Sequence, residues 1–297
     1  MKPYEPVLDR VLAHQVLRTL LSRGPVPYTP HPGDWDWWTF HADPRDRTEQ
    51  FIGALAVASV AINEIAMDDG EVAAFGVTAE ETIELGRKAL PEIRFTVTHV
   101  SLADHTRVAA LRRAGFELHG PPAPLFARAT SGASPRPVEG FEIRPLRGEQ
   151  EHAARADAAR LAFASTLEPE AHRARYLEFM RSPAYVPEHD IVAVAHDGTI
   201  ASFAIYWPDD ELSLARFEPV GTHPDFQRRG LARALLHESL ARLAAAGIER
   251  AQVMTGGENE PAKRTYLATG FDLVDQVGAY RAPASFASGR SSDIGKR

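Results

Sequence analysis

The stretch Phe217-Glu-Pro-Val-Gly-Thr-His-Pro-Asp-Phe-Gln-Arg-Arg-Gly-Leu-Ala-Arg-Ala-Leu-Leu236 decides how this chain is read. It predicts a strand, a short basic loop and a helix opened by Gln227-Arg-Arg-Gly-Leu-Ala232. The first backbone N–H groups of a helix have no partner inside it and carry the positive end of its dipole. Gly230 lets backbone approach a ligand closely, and Arg228 and Arg229 add positive charge. Such a loop suits a pyrophosphate. It lacks the lysine and hydroxyl of a G-x-x-x-x-G-K-[ST] loop and is not a G-x-G-x-x-G fingerprint. Taken alone, it reads equally as the basic start of an ordinary core helix.

The flanks extend the pattern. Leu236, Leu240 and Leu243, widened by Leu231 and Leu235, form an apolar helix stripe. Arg233, Glu238 and Arg242 are expected to face solvent. Gly247 ends the helix, and Arg250–Thr255 reads as a strand, giving a right-handed βαβ crossover. Asn259 caps a further helix that carries Ala262 and Tyr266 and ends at Gly270. Upstream, residues 141–146, 190–195, 200–207 and 212–222 read as strands, and 149–164 and 169–181 as helices. Residues 271–275 and 277–281 close the run as strands.

Two motifs in this order, Gln227-Arg-Arg-Gly-Leu-Ala232 and Asn259…Tyr266-Leu-Ala-Thr-Gly-Phe271, resemble the GNAT acyltransferase superfamily. The resemblance covers residues 141–282. It implies that the loop holds the pyrophosphate of coenzyme A, that Asn259 contacts the cofactor and that Tyr266 sits by its sulfur. It also implies a bulge in the strand before the loop. Pro219, which has no N–H to give a ladder, suits one. The expected acetyl-CoA contacts are Val220, Gly221, Thr222, Gln227, Arg228, Arg229, Gly230, Leu231, Ala232, Arg233, Asn259 and Ala262. Tyr266 is the expected acid. Glu218 is the expected base, or else the structural partner of a nearby arginine. Phe163, Tyr185 and Trp207 are expected to wall the acceptor site. The histidines have no metal-ligand spacing, and His223 and His237 read as surface or loop residues.

The first half carries an echo. A capping box, Thr78-Ala-Glu-Glu81, starts a helix to about Ala89; Arg94–Val100 reads as a strand; Asp104 caps a helix closed by Gly115. Aligning Gly115-Phe116 with Gly270-Phe271 brings Asp104 onto Asn259, Leu111 onto Tyr266 and Val72–Val77 onto the basic loop. The first half therefore resembles a GNAT copy without phosphate arginines or tyrosine, similar in layout to mycothiol-synthase acetyltransferases. The expected fold is α/β (α+β): two tandem GNAT-like domains, each a mixed, mostly antiparallel sheet flanked by helices. The expected division is a degenerate domain at 1–129, a Ser/Gly/Pro-rich linker at 130–139, an active domain at 140–283 and a disordered tail at 284–297. Residues 138–297 alone are expected to retain acetyl-CoA binding but to lose stability or acceptor affinity. Apolar spacing over 7–23 reads as a helix. Alternation puts Trp38 and Phe40 on one strand face, and 51–66 fits strand or helix equally.

Bulk properties narrow the classes. The 297 residues suffice for two domains, and 44% hydrophobic with 25% charged side chains is an ordinary globular composition. A net charge of −7 argues against a general nucleic-acid binder. The absence of cysteine excludes disulfides and thiolate chemistry. No membrane-spanning run is apparent, and Asp9, Arg10 and His14 interrupt any signal-peptide core, so a cytoplasmic monomer or homodimer is expected. The implied reaction is acetyl transfer from acetyl-CoA to a primary amine, on a small molecule or a protein, without a metal. The alternatives are a non-catalytic acyl-CoA-binding or scaffold protein, or a transferase for a longer acyl chain.

Overall fold

The structure is a computed structural model that describes residues 1–23, 28–42, 45–63, 69–91 and 93–286. The first half runs β1 (Lys2–Pro3), α1 (Pro6–Leu21), α2 (Pro32–Phe40), β2 (Asp46–Ile52), β3 (Val57–Asn63), β4 (Asp69–Phe75), α3 (Ala79–Ala89), β5 (Arg94–Ser101), α4 (His105–Arg113), β6 (Glu117–Leu118) and β7 (Ala123–Ala129). The second half runs β8 (Phe141–Pro145), α5 (His152–Ala162), α6 (Pro169–Met180), β9 (Asp190–Ala195), β10 (Ile200–Asp209), β11 (Leu214–Thr222), α7 (Leu231–Ala245), β12 (Arg250–Met254), α8 (Glu260–Ala268) and β13 (Asp272–Arg281). The two orders match. In each half, three antiparallel strands lead into a helix and then a strand parallel to the third: β4 with β5, and β11 with β12. The fold is mixed α/β, with one 13-stranded sheet through both halves.

The joint between the halves is an exchange of last strands. Strand β13 lies against β5, with Val277 opposite Ser101, and β7 lies against β12, with Val253 opposite Phe126. Strands β7 and β13 then pair with each other. Local patterning cannot show this, because a strand looks alike whichever neighbour it joins. The exchange pairs sheet edges that each half would otherwise expose. Strand β12 takes one of its two partners from the first half, so residues 138–297 alone would lack it. A protease site placed in the exposed residues 134–137 tests this arrangement. The cut pieces should co-elute under native conditions and separate only in denaturant; pieces that elute apart without denaturant would contradict the exchange.

Helix starts follow the expected chemistry. Thr78 Oγ1 accepts from Glu81 N and the Glu81 carboxylate accepts from Thr78 N; Asp104 accepts from Arg107 N, and Asn259 from Ala262 N. The apolar stripe of α7 (Leu231, Leu235, Leu236, Leu240, Leu243) is buried in the second-half core. Arg233 is exposed and Glu238 and Arg242 are half-buried.

Several expectations need correction. The tryptophan cluster is helix α2, not a strand. His31 accepts from Gly33 N, Asp34 accepts from His31 N and Pro32 occupies the first turn, so local start signals override the alternation. Trp38 packs in the first-half core with Trp35, whereas Phe40 packs with the core under α5 and α6. The 51–66 stretch covers the end of β2 and the strand β3; its residues 64–66 lie outside the described residues. His237 is buried on α7 rather than at the surface. The closing strands are one, β13, with register shifts at Leu273/Asp275 and Gly278/Tyr280. Of the tail, residues 287–297 lie outside the described residues.

Candidate active site

Strand β11 builds the site. It pairs with β12 from Leu214 to Phe217, and the pairing ends there. On its other side Ala204 faces Val220 and Tyr206 faces Phe217, so β11 carries one extra residue at Glu218-Pro219. This is the bulge expected at Pro219. Beyond it, the β12 side of β11 has no strand partner. Trp207 Nε1 donates to the Glu218 carbonyl at 2.6 Å, and Ser202 Oγ donates to the Gly221 carbonyl at 2.8 Å. Gly221 is fixed by packing, because a Cβ there would stand 2.3 Å from Phe203.

The loop after β11 differs in detail from the expectation. Helix α7 starts at Leu231 rather than at Gln227. Arg228 (φ 62°) and Gly230 (φ 80°) adopt left-handed backbone, which Gly230 takes without a Cβ penalty. Gly230 is the N-cap residue and supplies no side-chain cap, so the first N–H groups of α7 are left to a ligand or solvent. Arg228, Arg229 and Arg233 are exposed around them. A cleft of about 1010 Å³ runs from this loop to α8. All twelve expected cofactor contacts line it: Val220, Gly221, Thr222, Gln227, Arg228, Arg229, Gly230, Leu231, Ala232, Arg233, Asn259 and Ala262. Tyr266 lines it too. A coenzyme A pyrophosphate fits the uncapped helix start, and a pantetheine arm fits the unpaired side of β11.

The cleft opens into a cavity of about 430 Å³ that Tyr266 shares and Glu218 lines. The Tyr266 ring packs against Phe126 and Phe271, with centroids 5.7 and 6.2 Å away. Burial, and then the Glu218 charge, push its phenol up, so it keeps its proton. Glu218 sits against a buried cluster. Arg216 Nε is 3.3 Å from Asp34 Oδ2; His31 N donates to the same oxygen at 2.8 Å, and Tyr28 Oη lies 3.5 Å from it. Burial first, and then Asp34, push the Glu218 carboxyl up to about 8, against the pull of Arg216. Burial also raises Asp34, while Arg216 and the His31 N–H lower it. The two carboxyls are close enough to titrate as a coupled pair, both raised by burial.

Sequence reasoning missed Asp34, although it comes from α2 in the first half. Its only local signal is a helix cap, which hides a partner far along the chain. Removing it would strand the Arg216 charge in the interior. Asp34→Ala should therefore lower unfolding stability by about 3–5 kcal/mol, the range for breaking a buried ion pair. Denaturant titration checks this, and an unchanged midpoint would contradict it.

Of the expected acceptor wall, Phe163 lines the cavity. Trp207 and Tyr185 instead pack around Phe179, at 6.1 and 5.2 Å. Trp37 and His41 from the first half take their place in the lining, beside Arg155 and His172. His223 accepts from Asp225 N in the turn after β11. Among the described residues no group of three or more His, Asp or Glu side chains could hold a metal ion.

The corresponding place in the first half is a smaller cavity of about 360 Å³, lined by Gly76, Val77, Thr78, Asp104 and Arg107. The β4–α3 joint is Gly76-Val77-Thr78, whereas Val72–Phe75 belong to β4, so the fixed offset to the basic loop fails. A Cβ at Gly76 would stand 2.1 Å from the Leu55 carbonyl oxygen. Arg107, which the cap alignment sets on Ala262, donates to the carbonyls of Val77 and Ala74 at 2.9 and 3.0 Å. Its guanidinium thus ties the end of β4 to the β4–α3 joint.

Comparison with known proteins follows this asymmetry. The sequence model described as "Acetyltransferase (GNAT) family" matches residues 155–271, the part that holds the cleft. Residues 155–271 are a GNAT acetyltransferase domain. A mycothiol acetyltransferase of Nocardiopsis dassonvillei is 34% identical over 106 residues, 33% of this chain and 32% of that protein. One from Beutenbergia cavernae is 33% identical over 156 residues, 51% of each chain. The aligned region thus spans about a third to a half of these curated relatives. Among solved structures, a tandem GNAT protein from the clavulanic acid biosynthesis pathway superposes with a TM-score of 0.65 at 17% identity, covering 95% of this chain and 97% of the other. A GCN5-related N-acetyltransferase from Sphaerobacter thermophilus gives 0.61 at 16%, covering 94% of each. These likenesses extend the GNAT fold beyond the matched domain to most of the chain.

Proposed function

We propose that the protein is an acetyl-CoA-dependent N-acetyltransferase that acetylates a primary amine by direct attack. The observation that carries this reading is the parting of β11 from β12 at Phe217, with an uncapped basic helix start at one end of the opening and Glu218 with Tyr266 at the other. Acetyl-CoA, when bound, supplies the activated acyl group. The loop Gln227–Arg233 holds the pyrophosphate, and the free side of Val220–Thr222 aligns the pantetheine amides and donates to the oxyanion. Glu218 accepts a proton from the amine, which at a pKa of about 10 arrives protonated. Tyr266 gives its proton to the departing sulfur. The thiol, at a pKa of about 8.5 by analogy with cysteine, is already a fair leaving group. A cavity of about 430 Å³ suits a small acceptor or a single side chain.

The first half buttresses this centre through Asp34 and performs no chemistry of its own. We assign it to residues 1–129, the active unit to residues 140–283 and the connection to 130–139. No helix of the described residues is long and apolar enough to cross a membrane, and a cytoplasmic location accords with the cofactor. Thiol release from acetyl-CoA across an amine library, with mass spectrometry of the products, tests the activity. Acetyl-CoA binding without thiol release for any amine would leave a binding or scaffold protein instead.

A further inference from the structure

The cavity beside Glu218 has a cationic wall that the chemistry above does not use. Arg155, on α5, is fully buried, and its Nε donates to Asp190 Oδ1 at 3.0 Å. Its guanidinium lies 3.7 Å over the Phe203 ring and 4.9 Å from that of Tyr176. Asp190 is committed elsewhere as well: Tyr176 and Tyr185 both donate to its Oδ2. The ion pair therefore fixes the direction of Arg155 without using its fork. Nη1 and Nη2 are buried and have no hydrogen-bond partner among the described residues, and the residue lines the cavity. Buried polar groups are almost always paired, so two unpartnered nitrogens on one guanidinium beside a cavity point to a ligand.

The surroundings agree in sign. Arg175 lines the same cavity. His172 lines it as well; burial, and then Arg175, Arg160 and Arg155, hold its imidazole down at about 4, so it adds no charge at neutral pH. Glu218 is the carboxyl in the lining, and at neutral pH it holds a proton. The lining thus carries two arginines and one carboxyl, that of Glu218. An amine without an anionic group would leave the fork unpaired.

We propose that the acceptor is an amine that also carries a carboxylate or another compact oxyanion, gripped by the Nη fork of Arg155 while its amine reaches Glu218. The planar fork matches a carboxylate in bidentate fashion. This rests on the acetyltransferase reading above and narrows its substrate class.

The test uses the intact protein with acetyl-CoA and matched acceptor pairs. Each α-amino acid is compared with its α-amide, each ω-amino acid with the alkylamine of equal length, and aminoalkyl phosphates separate phosphate from carboxylate recognition. For the favoured anion, kcat/KM should exceed that of the neutral partner by about 10–100-fold, the range for a charged hydrogen-bonded contact, and mostly through KM. Arg155→Met should erase this preference while leaving acetyl-CoA affinity unchanged, with its fold checked by thermal unfolding. Because the paired substrates report on the wild type, the test survives a variant that does not fold. Equal turnover of acids and amides, or a preference for polyamines, overturns the anion assignment alone. Absence of thiol release with every amine, neutral ones included, overturns the transferase reading and this proposal with it.

Discussion

Tyr266→Phe should lower kcat by about 10²–10⁴-fold, the usual contribution of one acid–base group. The ring stays, so its packing on Phe126 and Phe271 and the fold should survive. The hydroxyl is lost, and with it the proton for the sulfur. Because burial raises the phenol, the acid form persists across the working pH range, and the loss should be uniform there. An acyl donor with a more acidic thiol needs less protonation, so the deficit should shrink with it. Steady-state kinetics with two such donors decide the matter. A wild-type kcat in the variant would remove Tyr266 from the chemistry.

Glu218→Gln should cost a comparable factor near neutral pH and little at high pH. The sign follows from the raised carboxyl. Below about 8 Glu218 holds its proton and cannot accept another, so wild-type kcat/KM should climb as pH rises through that value. The variant should keep only the rise that belongs to the amine, near a pKa of about 10. The two profiles should converge once the free amine is neutral. Superimposable profiles at all pH values would reduce Glu218 to a structural partner of Arg216 and Asp34, and leave proton removal to water.

How much of this was legible in the sequence depends on how local each signal was. Caps at Thr78, Asp104 and Asn259, the leucine stripe of α7 and the bulge at Pro219 are written within a few residues each, and the structure has them in place. The cleft residues were legible because loop, strand end and last helix follow one another in a known order. What escaped was long-range. Asp34 meets Arg216 only because α2 packs across β11, and Arg155 looks like one more arginine in an alanine-rich helix until Asp190 fixes it. The small neighbours Ala156 and Ala159, both buried, hint that this face of α5 is interior. The repeat was visible, but one offset could not hold: α3 has 11 residues and α7 has 15, so registers set on the last helices drift before the loop.

The central claim is that one half of this two-part sheet binds acetyl-CoA through the Gln227–Arg233 loop while the other, whose smaller cavity has Arg107 bonded to the Ala74 and Val77 carbonyls, does not. Titration calorimetry of the intact chain with acetyl-CoA tests it most directly, repeated on Arg228→Ala with Arg229→Ala and across a salt series. One site per chain is expected, weaker and less salt-dependent in the double variant. Two equivalent sites, or an affinity that ignores the loop arginines, would contradict the account.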